Sequence, residues 1–74
     1  IDKDIEDIKI YIENLKGIIN TQDSFIIYSD NKIMDNKGIE LKKFDEKIKK
    51  ILFVPNNMLV VELESYIQII NLKS

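Results

Sequence analysis

Hydrophobic residues near the start of the chain recur at the spacing of one face of a helix. The stripe is spaced 4, 3, 4, 3 and 4 residues apart and consists of Ile1, Ile5, Ile8, Ile12, Leu15 and Ile19. Asp2 and Asp4 suit the N-cap and first turn, and Gly17 suits the C-terminal end. The pattern predicts an amphipathic helix over residues 1–20 that packs on the protein's own sheet. A short coiled-coil seam is the alternative use of the same stripe.

From residue 24 onward the pattern changes to short β-branched and aromatic runs separated by turn residues, which is typical of hairpins. In the last run we expect Ile67 and Ile69 to face the core, and we leave residues 44–47 open to a short helical turn. The predicted strands cover residues 25–29, 32–36, 39–43, 48–54, 58–63 and 66–72, with turns at 30–31, 37–38, 55–57 and 64–65.

These patterns predict the α+β class, with the N-terminal helix packed on an antiparallel, blade-like meander of hairpins in residues 24–74. At 74 residues the chain is a single small domain or a fragment, near the size at which one core gives marginal stability. Because it begins with Ile rather than Met, we expect a processed product or a piece of a longer protein.

The composition argues against several classes of function. The chain has no Cys and no His, so it offers no thiolate, no disulfide and neither the commonest general base nor the commonest metal ligand. We therefore predict a non-enzyme with no catalytic, cofactor-binding or metal-binding residues, in the cytoplasm. All 11 basic residues are Lys, they alternate with acidic residues, and the net charge is −2, which disfavours nucleic-acid binding.

Two clusters of acidic residues are better explained by structure than by catalysis or metal binding. Glu62 and Glu64 would lie about 7 Å apart on one strand face, but a solvated surface explains them better. The acidic start formed by Asp2, Asp4, Glu6 and Asp7 fits helix-terminus electrostatics better than a cation site.

Several positions that we expect to be exposed are better suited to binding a partner than to catalysis. Lysines between residues 42 and 50 could contact anionic lipid or an acidic partner, although Asp45 and Glu46 dilute the charge and a solvated surface is the preferred interpretation. Tyrosines combine an apolar ring with a polar tip and often anchor interfaces. The candidate interaction residues are Tyr11, Ile18, Lys42, Lys43 and Tyr66.

The sequence also contains an internal similarity. The segment FIIYSDNKIMDNKG (residues 25–38) resembles LVVELESYIQIINLKS (residues 59–74) at an offset of about 34 residues, a spacing typical of β-repeats. The second segment, with the residues before it, resembles a blade of the PROPPIN group of WD-repeat-like β-propellers, which bind phosphoinositides in autophagy. The resemblance covers residues 25–74 and implies a piece of a larger propeller. That family's lipid site is a pair of adjacent arginines, and no arginine is present here.

Together these observations predict a non-enzymatic protein-interaction or scaffold module related to β-propellers. Its partner would be another protein or a second copy, without nucleic acid or a small-molecule substrate, and membrane or phosphoinositide contact would require a larger parent protein. The alternative is a small autonomous regulatory or assembly domain from an A/T-rich bacterium or phage. Some sporulation-type β-rich proteins are similar at the positions of Gly38, Phe44, Asp45 and Glu46.

Overall fold

The protein is built from seven antiparallel strands in two sheets. A computed structural model describes residues 5–72. The four-stranded sheet has the order β1-β2-β3-β4 and the three-stranded sheet the order β5-β6-β7, so both are simple meanders. The strands are β1 (Leu15–Asn20), β2 (Phe25–Ser29), β3 (Lys32–Met34), β4 (Glu40–Lys43), β5 (Lys50–Val54), β6 (Met58–Glu62) and β7 (Ile67–Asn71).

The core lies between the two sheets, which pack face to face. Ile33 of the four-stranded sheet and Leu59 and Val61 of the three-stranded sheet have no exposed surface. Because side chains alternate along a strand, each sheet gives one set of alternate residues to this contact. The buried core cluster is Ile26, Ile33, Phe44, Ile51, Leu59, Val61 and Leu63.

Backbone hydrogen bonds fasten the connection between the sheets to the β2–β3 turn. Phe44 N–H donates to the Asn31 carbonyl at 2.8 Å, and Ile48 N–H donates to the Asp30 carbonyl at 2.7 Å. Strands β1 and β5 also lie beside each other. The chain therefore passes from one sheet to the next at a fixed point on the β2–β3 turn.

The predicted N-terminal helix is wrong, and with it the α+β class and the coiled-coil alternative. Residues 5–72 contain no helix, so the described fold is all-β. Leu15 and Ile19 lie in β1, and Gly17 pairs with Tyr28 of β2 instead of ending a helix. The predicted stripe residue Ile1 and the predicted cap residues Asp2 and Asp4 lie outside the described residues.

The helical stripe does not describe the burial of this region. Ile5 and Ile8 of the stripe are exposed, while Ile12 of the stripe and Ile10, which the stripe omits, are half-buried. Ile8, Ile10 and Ile12 also alternate with period two, and β-branched residues favour extended backbone, so the sequence is compatible with more than one period. Strand β1 also forms backbone hydrogen bonds with β2, and this pairing overrides the local helical pattern.

Residues 5–14, which we call the N-terminal arm, cover part of the outer face of the four-stranded sheet. Ile27 and Met34 point away from the core by strand alternation, yet each is only 5% exposed. A Cβ atom built on Gly38 would lie 2.7 Å from Ile10 Cγ2 and 3.6 Å from Ile12 Cδ1. The arm is therefore packed against the β3–β4 turn and leaves no space for a side chain there.

Asp35 shapes the same turn. One oxygen of its carboxylate accepts hydrogen bonds from the N–H groups of Lys37 and Ile39, each at 2.9 Å. The bond from Ile39 and then that from Lys37 lower the pKa of Asp35 from its ordinary value of 3.8. Gly38 follows with a φ of +85°, a conformation that glycine adopts without strain.

The prediction that Ile67 and Ile69 of β7 face the core is wrong. Gln68 and Ile70 stand opposite Val61 and Leu59 on the core side, while Ile67 and Ile69 point outward. The alternation was correct, but a single-residue choice of phase moves every side chain to the other face.

The other predicted strands are confirmed to within two residues at their ends. The turn at residues 55–57 is confirmed, and Asn56 and Asn57 both adopt the positive φ that asparagine tolerates. All four residues of β4 are exposed at a sheet edge. Residues 44–47 form no helical turn.

A pair of leucine substitutions tests the facing of the three-stranded sheet. Leu59→Ala removes a fully buried side chain and is expected to lower the free energy of unfolding by about 2–5 kcal/mol. The matched control, Leu52→Ala, truncates an exposed leucine on the opposite face and should change it by less than about 1 kcal/mol. Chemical denaturation measures both values, and equal losses would contradict this facing.

A double-mutant cycle tests the position of the arm. Gly38→Ala should lower the free energy of unfolding by about 1–3 kcal/mol, because alanine is strained at positive φ and its Cβ collides with Ile10. In an Ile10→Ala background the collision disappears, so the cost of Gly38→Ala should fall and leave only the backbone strain. Purely additive effects in denaturation would show that the arm does not lie on this turn.

Candidate interaction surfaces

The outer face of the three-stranded sheet is apolar and open to solvent. Leu52, Val60 and Ile69 form one row across the three strands, directly opposite one another. Leu52 is 47% exposed, and Ile67 and Ile69 are each 62% exposed. We define the outer apolar face as the apolar residues on this side of the sheet, which are Leu52, Val54, Met58, Val60, Ile67 and Ile69. Lys50, Glu62 and Asn71 lie on the same side and border it, with Lys50 and Glu62 in the row of Ile67 and Asn71 in the row of Val54 and Met58.

The two outer faces of the molecule therefore differ. On the four-stranded sheet Ile27 and Met34 are buried, and the arm lies at Gly38 and beside Met34. On the three-stranded sheet Leu52, Ile67 and Ile69 are in contact with water. Isolated exposed apolar residues are ordinary, whereas large contiguous apolar patches are typical of interaction sites, so this face is a candidate surface.

Three of the candidate residues from the sequence come together in a second feature, a shallow cleft between the sheet edges. Lys42 and Lys43 approach it from β4, and Tyr66 approaches it from the start of β7. Phe44, Asp45 and Gln68 complete the lining. The cleft combines two cations with two aromatic rings and a carboxylate, a set suited to binding polar protein groups.

Hydrogen bonds between two loops shape this cleft. Tyr66 Oη donates to Asp45 Oδ1 at 2.7 Å. Glu46 accepts from the backbone N–H of Ser65 at 2.9 Å and from its hydroxyl group. The connection between the sheets is thereby fastened to the β6–β7 loop.

The same contact affects the acidity of the tyrosine. The hydrogen bond to Asp45 raises the pKa of Tyr66 above its ordinary value of 10.0, and desolvation and the negative charges of Asp45 and Glu46 act in the same direction. This bond therefore stabilises the fold below the ordinary pKa of a tyrosine, and its contribution is lost as pH rises through the raised value.

The other two candidates lie apart from the cleft. Tyr11 is in the arm and lines a separate depression with Ser29, Lys32 and Glu40. Lys32 Nζ and Glu40 Oε1 are 3.9 Å apart there, in an exposed ion pair that contributes little to stability. Ile18 lies on β1 and is exposed on the outer side of the four-stranded sheet. The five residues do not form one site.

The two carboxylates that the sequence placed on one strand face do not share a strand. Glu62 is on β6 opposite Lys50, while Glu64 lies in the following loop and is exposed. Across residues 5–72 no three acidic, His or Cys side chains gather closely enough to hold a metal ion. In the same residues, no helix has the length and apolar character to cross a membrane.

Sequence reasoning missed the outer apolar face, although its signal was present. Ile67 and Ile69 were assigned to the core, and Leu52 was not singled out. Runs such as residues 51–54 and 58–61 are apolar on both sides of the strand, which indicates two covered faces rather than one.

Comparison with protein-family models, curated proteins and solved structures finds no significant match to this chain.

Alkaline titration tests the contact between Tyr66 and Asp45. The difference between tyrosinate absorbance of the wild type and of Tyr66→Phe isolates Tyr66, which should ionise above pH 10.0. Asp45→Asn removes the negative acceptor, so the pKa of Tyr66 should move back toward 10.0. The Glu46→Gln variant, which leaves the direct bond intact, serves as the control. An unshifted Tyr66 in the wild type would show that the bond does not form in solution.

Proposed function

We propose that this chain is a non-enzymatic protein-interaction or scaffold module that docks through the outer apolar face. The observation that carries the proposal is the exposure, on one side of the three-stranded sheet, of Leu52 on β5 and of Ile67 and Ile69 on β7, with the half-buried Val60 of β6 between the two strands. Burying apolar surface is the main favourable term in most protein association, at about 25 cal/mol per Å².

The shape of this surface favours a protein partner over a small molecule. It is the face of a three-stranded sheet rather than a closed pocket, and small-molecule sites are usually concave. A flat apolar row can pack against a second sheet at the usual sheet spacing of about 10 Å. The polar cleft at Lys42, Lys43 and Tyr66 would then form a separate, hydrophilic contact.

We further propose that the module is related to β-propellers and works in the cytoplasm. Two features support the first part: both sheets are antiparallel meanders, as propeller blades are, and β1 and β5 lie side by side as the first strands of their sheets. The cytoplasmic assignment rests on the cysteine-free sequence. No lipid-site residue is transferred from the PROPPIN resemblance, because its paired arginines have no counterpart here.

The alternative function, a small autonomous regulatory or assembly domain, has one observation in its favour. The core cluster joins both sheets and needs no residue from another chain to bury Ile33, Leu59 and Val61 completely. The two proposals differ in whether the outer apolar face is occupied in the cell.

Hydroxyl-radical footprinting can answer that question. The chain is oxidised in an extract of the cells that express it and, separately, as a dilute purified protein. We expect modification of Leu52, Ile67 and Ile69 to fall several-fold in the extract, because a bound partner excludes solvent from them. Leu41, which is 48% exposed at the edge of the other sheet, is the internal control. Equal modification of the face in both samples would overturn the proposed function.

A further inference from the structure

We propose that the free edge of β7 binds an extended segment of the partner protein, which pairs with β7 as an additional antiparallel strand. This inference rests on the proposed function and adds the way in which the partner attaches to the three-stranded sheet. The added strand would take the position that β4 takes in the four-stranded sheet.

The first support is a row of backbone groups on β7 that point away from its own sheet. Leu72 N–H donates to the Asn57 carbonyl and Leu63 N–H donates to the Tyr66 carbonyl, each at 2.9 Å. Bonded and non-bonded pairs alternate along an antiparallel ladder, so β7 bonds to β6 through its even-numbered residues. The N–H and C=O groups that face the open edge are those of Ile67, Ile69 and Asn71. No strand within residues 5–72 pairs with this side of β7.

The second support is the internal similarity, which now relates the two sheets strand by strand. When residue 25 is aligned with residue 59, the β2–β3 hairpin falls on the β6–β7 hairpin and the turn at residues 30–31 falls on residues 64–65. Ile33 of β3 then corresponds to Ile67 of β7. What Ile33 bonds to therefore indicates what the edge at Ile67 is suited to bind.

The backbone groups of Ile33 bond to a fourth strand. Phe44 N–H donates to the Asn31 carbonyl, and by alternation Ile33 and Lys42 form the next bonded pair between β3 and β4. The corresponding groups of Ile67 have no strand opposite them within residues 5–72. The four-stranded sheet thus shows the position of the strand that the other sheet lacks.

The third support is the difference between the two outermost strands. In β4 three of the four residues are charged, namely Glu40, Lys42 and Lys43, and its pairing with β3 is irregular. Charged side chains, lysine above all, and irregular pairing protect a sheet edge from further strands. In contrast β7 reads Ile-Gln-Ile-Ile-Asn, carries no charge and pairs regularly with β6. Strand β4 therefore closes its sheet, whereas β7 is suited to accept another strand.

The open edge is also continuous with the outer apolar face. Ile67 and Ile69 belong to both, because their side chains lie on the face, each 62% exposed, while their backbone groups point to the edge. A segment paired with β7 would lie directly beside these side chains. Extended segments bind sheet edges in this way, with main-chain hydrogen bonds supplying affinity and neighbouring side chains supplying specificity.

The character of β4 indicates the chemistry of the segment. All four β4 residues are exposed, so this position is held by main-chain pairing and requires little side-chain burial. A short, largely polar segment of a partner would end the sheet as β4 does. A second copy of β7 would instead add another uncharged, apolar strand, which is the less similar occupant.

Amide hydrogen exchange of the purified chain tests whether the edge is free. The amides of Ile67, Ile69 and Asn71 should exchange at least about tenfold faster than those of Gln68 and Ile70, which bond to β6. Equal protection along the whole of β7 would show that this edge is not open, and would overturn the inference.

A pair of substitutions at Ile69 tests strand addition where the partner is present. Ile69→Pro removes an N–H group that faces the open edge, a place where an edge strand tolerates proline. The matched control, Ile69→Val, keeps the N–H group and a β-branched side chain. In the cell extract, oxidation of Leu52 should fall several-fold in Ile69→Val, as in the wild type, but not in Ile69→Pro. Thermal unfolding of both variants checks that the fold is retained.

A peptide probe tests the main-chain pairing without any change to the protein. The probe has the sequence of residues 39–44, and at millimolar concentration it should slow exchange of the Ile67 and Ile69 amides several-fold. N-methylation at the Lys42 position removes the N–H group directed at the pairing strand and should abolish the effect. N-methylation at the Lys43 position, whose N–H group points away, is the control. No slowing by the unmodified probe, or equal slowing by both methylated probes, would contradict strand addition.

The remaining outcomes separate this inference from the proposed function. Equal protection of Leu52 in Ile69→Pro and Ile69→Val would overturn strand addition and leave docking through the outer apolar face intact. A wild-type Leu52 that is never protected in the extract would remove the proposed function and this inference together. A wild-type mass that rises with concentration in light scattering, while Ile69→Pro stays at 8.7 kDa, would identify the added strand as a second copy of β7 and overturn its assignment to a partner.

Discussion

The contact between the two sheets is the constraint on which the rest of the molecule depends. Ile33 on one side and Leu59 and Val61 on the other are completely buried, and few other large side chains share that environment. A three- or four-stranded meander alone would expose one whole apolar face to water. Folding therefore requires that both sheets form and that their alternation presents the correct residues to the interface.

The contact between the sheets also explains why their two outer faces differ. Apolar residues occupy both faces of several strands, so a single shared core cannot bury all of them. Part of one outer face is covered by the N-terminal arm, which packs at Gly38 through Ile10 and Ile12. The other outer face leaves Leu52, Ile67 and Ile69 exposed.

The β-rich part could be predicted from the sequence because its turn residues are unambiguous. Asp30 with Asn31, Lys37 with Gly38, and Pro55 with Asn56 and Asn57 each end a β-branched run, and local conformational preferences decide such positions. The candidate residues Lys42, Lys43 and Tyr66 converge in one cleft, but their proximity depends on the path between the sheets and could not be read from spacing.

The N-terminal region and the facing of the last strand were not predicted correctly, because isoleucine is too abundant for its spacing to be decisive. Isoleucine makes up 16 of the 74 residues, so both a helical and a strand period can be found in residues 1–19. In β7, Ile67 and Ile69 compete with Ile70 for the core, and hydrophobicity does not distinguish them. Pairing with Leu59 and Val61 decides the outcome, and that is tertiary information.

The bonds at the β2–β3 turn have an implication for how such a chain tolerates change. Both acceptors, the carbonyls of Asp30 and Asn31, belong to the backbone, so the attachment of residues 44–48 does not depend on the identity of either side chain. It does depend on the number of residues in the turn. One inserted residue would move both carbonyls away from their donors and break both bonds. This turn can therefore accept many amino acids but only one length.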